Sequence, residues 1–421
     1  MTFRVAVIGG GTGGLCLAQG LHRAGVEVAV YERSPTRTER LQGYRVHINP
    51  DGARALHDCL PPETWRAFLD TTGGSSANGF AFLTEQLEPL LVLDGPAEPP
   101  GPLDAHHSVS RITLHQVLSA GIEPIIQYGK VFERYERSAD GEITVHFADG
   151  GTARADLLIG ADGANSRVRR QFLPHAERVD VGLRGVVGKL PLTPANRAWL
   201  PEFLLSRANV VTAARDHGMF LAPHELDGDR HAGIGGNDET YVADAALFDN
   251  TSSYLMWAFA TKDRGLGGLD AAGLRAEAGR LIGGWHPLLR RLVADTDPAV
   301  VSLMTLRTST PVDPWPTTNI TLLGDAIHSM TPFRGIGANT ALRDANLLRQ
   351  NIIAAHRGER GLLTALGDYE RRMLDYGFQA VRESLGAAGQ FVSASRLRRL
   401  MFRSVLRTAA VLPPLKRRFA N

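Results

Sequence analysis

Near the start of the chain, Gly9-Gly10-Gly11-Thr12-Gly13-Gly14 carries a G-x-G-x-x-G pattern in Gly9, Gly11 and Gly14. In such a loop the first glycine permits a tight turn, the second lets backbone approach a pyrophosphate, and the third lets a helix pack closely on a strand. Residues 4 to 8 are a short apolar run, and residues 15 to 24 have helical apolar spacing that stops at Gly25. A helix starting at the loop, with Thr12 and Gly13 in its approach, aims free N–H groups and a positive dipole end at phosphates. Residues 26 to 32 read as the next strand, and Glu32 ends it eighteen residues after Gly14, where a carboxylate accepts hydrogen bonds from a ribose; Arg33 follows it as a second candidate contact. The chemistry is dinucleotide binding, and the loop by itself fits NAD as well as FAD.

Two later stretches separate these cofactors. One runs Asp156-Leu157-Leu158-Ile159-Gly160-Ala161-Asp162-Gly163-Ala164-Asn165-Ser166-Arg167-Val168-Arg169. The other runs Leu323-Gly324-Asp325-Ala326-Ile327-His328-Ser329-Met330-Thr331-Pro332-Phe333-Arg334-Gly335-Ile336-Gly337-Ala338-Asn339. With the first loop, in this order, they closely resemble the three signatures of the single-component FAD-dependent monooxygenases, the aromatic hydroxylases of the para-hydroxybenzoate hydroxylase fold. On physical grounds Asp325, at a strand tip after Gly324, can hydrogen-bond a polyol such as the ribityl chain. The turn through Gly335, Gly337, Ala338 and Asn339 points helix-start N–H groups toward a group that becomes anionic, as a reduced flavin does.

The resemblance assigns further roles. Asp162 would touch the pyrophosphate region and the pyridine nucleotide, with Arg169 supporting it. Arg111 would contact the flavin from just before a helix. Pro332 would lie beside the reactive flavin carbon, offering a rigid carbonyl with no competing N–H. Arg184, on the first strand of an inserted sheet, would face both flavin and substrate, and His328 would be structural. The stretch from Gln42 to Gly52 stands where relatives place a glycine-rich turn against the flavin. Here Arg45 occupies a position often held by glycine, so a backbone contact to FAD is expected to survive while the side chain does something new. The cycle implied is reduction of FAD by NADPH or NADH, addition of O2 to give a flavin hydroperoxide, and transfer of one oxygen to an aromatic or polycyclic small molecule, by hydroxylation, epoxidation or Baeyer-Villiger oxidation. An alternative is an FAD-bound scaffold or cyclase whose flavin is structural. The W-x-W-x-I-P signature of the flavin halogenases is absent.

These residues need an α/β frame: a Rossmann-like FAD-binding domain with an inserted, mainly β-sheet substrate domain and C-terminal helices. The strand–loop–helix–strand start is a βαβ unit with a right-handed crossover. The FAD-binding domain is expected to be discontinuous, over residues 1–71, 103–178 and 284–370. Residues 72–102 and 179–283 lack strand–helix alternation and form the substrate sheet; residues 371–421 close the chain helically. Within the substrate domain His217, His224, His231, Arg207, Arg215 and Tyr241 have no spacing that singles one out.

With 421 residues, 43% hydrophobic and 21% charged, the chain suits two or three globular domains, and no apolar run is long enough to span a bilayer. A net charge of +2 argues against nucleic-acid capture. Two cysteines make no disulfide framework and show no metal-ligand spacing, and the first residues have no signal-peptide pattern, so the expected location is cytoplasmic. From residue 396 onward there are eight basic residues and no acid. This tail is expected to dock on its own protein with charges facing water, with a membrane-surface role as the less favoured alternative.

Overall fold

The structure is a computed structural model that describes residues 3–36, 45–72, 79–95, 101–212, 216–225, 252–263, 265–393 and 395–420. Five parallel strands form the first sheet, in the order Ile320–Leu322, Leu157–Gly160, Val5–Ile8, Val28–Tyr31 and Ile126–Gln127. Its central strands are fully buried because helices and a three-stranded antiparallel sheet share its apolar core. Helices Thr12–Arg23, Pro50–Cys59, Gly337–His356 and Leu362–Phe391 share one apolar core with this sheet. A three-stranded antiparallel sheet (Phe132–Arg137, Ile143–Phe147, Thr152–Ala155) flanks it.

The second unit is a seven-stranded sheet in the order Ser302–Ser309, Arg178–Pro191, Tyr254–Lys262, His217–His224, Ala208–Thr212, Phe80–Thr84 and Pro89–Leu93. One face, with Val186, Leu190, Leu221, Leu255, Trp257 and Phe259, packs on helices Ala271–Leu281 and Pro287–Ala294. Gly188 is required there: a Cβ on it would lie 2.6 Å from the Trp257 ring. The expected α/β architecture with a Rossmann-like domain, a second sheet and terminal helices is therefore present. The expected return to the first unit at residue 284 comes later in the structure. Helix Pro287–Ala294 belongs to the second core, and strand Ser302–Ser309 pairs with Arg178–Pro191.

Several element starts also differ from the apolar pattern. The helices begin at Thr12, Arg111 and Gly337, two or three residues before their apolar spacing does. Their first residues are Thr12-Gly13-Gly14, Arg111-Ile112 and Gly337-Ala338, too few large apolar side chains to show a helical period. The apolar stretch 79–93 is two strands joined through a turn in which Leu87 has φ 62°.

Candidate cofactor and substrate site

Three motifs far apart in sequence meet because their strands are neighbours. Gly9, Ala161-Asp162 and Leu323-Gly324 each leave the carboxyl end of an adjacent parallel strand, and backbone bonds run Ala161 N–H to Ile8 O (2.8 Å) and Leu323 N–H to Gly160 O (3.0 Å). That edge of an open parallel sheet is where such folds bind ligands.

The glycine loop has the shape of a phosphate cradle. Gly9 has φ 113°, and a Cβ there would fall 2.3 Å from Ala161 O; a Cβ on Gly14 would fall 2.2 Å from Gly9 O. Gly13 is pressed against Leu323. Gly11 is the opposite case: nothing lies within 4 Å of its Cβ direction. It caps helix Thr12–Arg23 with no side-chain hydrogen bond and no acid in the first turn, so the helix start is open to an anion. Glu32 is fixed beside the loop, accepting from Gly10 N–H (2.7 Å) and Ser34 N–H (2.8 Å), and Arg33 next to it is exposed. His115, which sequence reasoning missed, ties helix Arg111–Ser119 to Gly10 O at 3.1 Å.

Asp162 accepts from Arg167 N–H (2.6 Å) and Val168 N–H (3.3 Å) through Oδ2, while its Oδ1 is buried with no partner. Burial raises its pKa. A buried orphan carboxylate oxygen beside the loop fits a bound polar ligand. Arg169 joins the second motif to the third by donating to Ala326 O (2.7 Å) and Ala164 O (3.2 Å).

Asp325 is surrounded by protein yet keeps solvent access, as a group lining a concavity does. Burial raises its pKa, opposed by His328, Arg111 and Arg178. Gly324 before it has φ 61° and donates to the Asp344 carboxylate at 2.7 Å. His328 is structural: its Nε2 lies 2.6 Å from Asp344 Oδ2, both side chains are fully buried, and Tyr376 OH donates to Asp344 Oδ1 at 2.5 Å. Asp344 and Tyr376 were missed in the sequence because neither falls in a turn motif; they lie on the flanks of helices.

Pro332 opens an exposed turn ending at Gly335 (φ 62°), and helix Gly337–His356 follows with no side-chain cap and no acid in its first turn. Gly337 and Ala338 are half-buried at its open end. Asn339 uses its side chain within the protein: it accepts from Asn49 N–H (2.8 Å) and donates to His47 O (2.8 Å). It fastens strand Arg45–Ile48 to the helix start.

Strand Arg45–Ile48 pairs with His107–Ser110, and Arg45 Nε donates to Ser108 Oγ at 2.8 Å. Ser108 Oγ is 3.4 Å from His224 Nδ1, on the second sheet. Beside it the rings of His224 and Tyr254 are 5.1 Å apart, and the Lys189 ammonium stands 5.3 Å over the Tyr254 ring. Lys189, His224 and Tyr254 occupy the sheet face away from the helices, so the two units meet across a polar, basic seam. Burial lowers the Arg45 pKa, with Tyr254 opposing; burial and Arg45 push His47 down to about 3. Of the other candidates, His217 stacks on Trp285 inside the second core and Arg207 pairs with Asp94 at 3.3 Å. His231, Arg215, Tyr241 and residues 42–44 lie outside the described residues. Arg184 is held by Asp180 (3.0 Å) and Asp263 (2.6 Å), and the strand register puts it on the side of Val186 and Leu190, opposite Lys189.

Comparison with known proteins agrees with this geometry. Residues 7–72 match the NAD(P)-binding Rossmann-like domain and residues 280–384 the FAD binding domain. A crystal structure from Photorhabdus luminescens, described as an FAD-containing monooxygenase, superposes with a TM-score of 0.81 at 34% identity, covering 93% of this chain and 99% of that one. The chain belongs to the FAD-dependent monooxygenase family, and FAD is the cofactor its turns are shaped for. A dual O-methyltransferase/FAD-dependent monooxygenase of Phaeosphaeria nodorum is 32% identical over 81% of this chain, which spans 39% of that relative's length. An FAD-dependent urate hydroxylase of Klebsiella pneumoniae is 28% identical, over 88% of this chain and 86% of its own. This chain thus spans less than half of the dual-function fungal relative. Among the described residues no helix is long and apolar enough to cross a membrane, and no cluster of side chains could hold a metal.

Proposed function

We propose that this protein is an NAD(P)H- and O2-dependent monooxygenase that places one oxygen atom on an aromatic or polycyclic small molecule of secondary metabolism, working in the cytoplasm. The observation that carries the reading is the meeting of three remote motifs at the carboxyl edge of one parallel sheet, opposite a second sheet with polar groups on its near face. The chemistry FAD supplies when bound is acceptance of electrons from NADPH or NADH and activation of O2. The chain does the rest. Gly9, Gly11 and Gly14 with the start of helix Thr12–Arg23 hold phosphates; Glu32 takes the ribose; Asp162 and Asp325 take polar groups between. The open start of helix Gly337–His356 steadies negative charge on a reduced ring. Arg45, Lys189, His224 and Tyr254 orient the substrate across the seam, and closure of the two units over it excludes water. Pro332 borders the reacting face, and Arg184 acts from the second strand of the seven-stranded sheet, held in place by Asp180 and Asp263.

Purified protein should be yellow, bleach with NADPH or NADH, and consume O2 faster once substrate is added. Bound flavin that neither nicotinamide reduces at a useful rate would overturn the monooxygenase reading and favour a scaffold whose flavin is structural. Asp325→Ala should weaken FAD retention while leaving the far-ultraviolet circular dichroism unchanged.

A further inference from the structure

Helix Arg396–Val411 presents two unlike faces. Phe402, Leu406 and Ala409 pack with Leu90, Leu91 and Leu93 of the outermost strand of the second sheet, joined by Leu415 and Phe419 from the next helix, Pro413–Ala420. Arg403 pairs with Glu85 on this docked side. At 100° per residue the opposite side carries Leu397, Leu400, Met401, Val405 and Val411, with Leu412 at its end. These are not incidental exposures: Leu397 is 68% exposed, Met401 59%, Leu400 51% and Val411 74%. Among the described residues eleven large hydrophobic side chains are exposed, and six fall between 397 and 412. The arginines border this stripe. Arg396 and Arg407 line one edge and Arg398 the other, all exposed.

We propose that this helix is an interfacial anchor that seats the protein on an anionic lipid surface. A stripe of leucine, methionine and valine flanked by arginines on both sides suits a plane that is apolar below and negatively charged above, because the arginine stems lie along the acyl boundary while their guanidiniums reach phosphate. The charge is one-sided: from residue 396 onward all eight ionisable side chains are basic, so the remainder of a chain of net charge +2 is acidic. Lipid attraction therefore acts on this one segment and sets the orientation of the body. A second copy of this chain is a poorer occupant, since a contact of stripe on stripe would bring two sets of the bordering Arg396, Arg398 and Arg407 together with no acid on either helix to pair them. The helix is too short and too charged to span, so it lies in the plane.

The test is co-sedimentation of the full chain, loaded with FAD, with vesicles of phosphatidylcholine alone and of phosphatidylcholine mixed with phosphatidylserine. Binding should require phosphatidylserine and fall about tenfold on raising salt. Two double variants separate the parts: Leu397→Ser with Met401→Ser, and Arg398→Glu with Arg407→Glu. Each should lose about tenfold or more of the bound fraction. Both should retain the parent's flavin absorbance and melting temperature, because none of the four side chains is in the docked face. The proposal is overturned by a parent that ignores phosphatidylserine vesicles. It is equally overturned by Leu397→Ser/Met401→Ser protein that binds them as the parent does. A concentration-dependent dimer that this variant dissociates, without vesicle binding by the parent, would assign the stripe to a second copy instead.

Discussion

In the five-stranded sheet the candidate residues sit on the turns that follow the strands, whereas in the seven-stranded sheet they sit on a strand face. The first arrangement is built from backbone: Gly9, Gly11, Gly14, Gly324 and Gly335 owe their identity to φ values, close approaches or open space, and the ligand is met by N–H groups and helix ends. The second is built from side chains: Lys189 and His224 gather at Tyr254, and His224 meets Ser108, the partner of Arg45, across the seam. A turn built on backbone tolerates almost no substitution, whereas a strand face can change its residues without changing the sheet, which is why the proposed function puts substrate choice there.

This contrast is sharpest under mutation, and the largest effect belongs to the first unit. Asp344 is a buried carboxylate serving His328, Tyr376 and Gly324. Asp344→Ala should leave Gly324 N–H, His328 and Tyr376 OH without their shared buried partner and cost about 3–5 kcal/mol, read by denaturant unfolding. A loss under 1 kcal/mol would show the pair to be dispensable. Next, Gly14→Ala sets a methyl against Gly9 O, where only backbone can yield. We expect a loss of about 1–3 kcal/mol together with colourless protein; a yellow, stable variant would break the claim that the loop is sterically fixed.

The seam should respond to pH instead. His47 has its pKa pushed down to about 3 from an ordinary 6.5, so the unfolded chain binds the extra proton between those values. Stability from this residue is full above pH 6.5 and declines as pH falls toward 3, by up to about 1.4 kcal/mol per pH unit. His47→Gln should flatten the acid side of the melting-temperature profile; an unchanged slope would remove His47 from the seam's electrostatics. The smallest effect is expected at Arg184, whose carboxylate partners are solvent-exposed. Arg184→Ala should cost no more than about 1 kcal/mol. If Arg184 serves substrate, the same variant raises the substrate concentration needed for half-maximal O2 uptake more than it lowers flavin content. The reverse pattern would refute that role.

Legibility in the sequence followed the same division. The glycine loop, Glu32, Asp162 and Asp325 stood out as candidates because a backbone cradle dictates residue type at fixed spacing, whereas the helix start at Gly337 preceded its apolar period. His115, Arg169 reaching Ala326, and the Asp344–Tyr376 pair serve that cradle from behind, and only Arg169 lay within a motif. On the second sheet, the lack of strand–helix alternation pointed to an inserted sheet but not to strands Ala208–Thr212 and Ser302–Ser309 or the significance of Lys189 or Tyr254, and helix Arg396–Val411 read as a docked helix with charges toward water.

What the sequence determined by itself was the local conformation at three turns, since φ, steric room and N–H direction are set within a few residues, and the resemblance those turns carry pointed to FAD. Which strands lie side by side is decided by contacts between residues more than a hundred apart, as with Ile8 and Gly160. Only the tertiary structure could therefore bring the three turns to one edge, set Arg45 beside Ser108 and His224, and turn the leucines of the last long helix away from the protein. Pairing and docking depend on the burial of whole faces, and no local spacing encodes which face another element will cover.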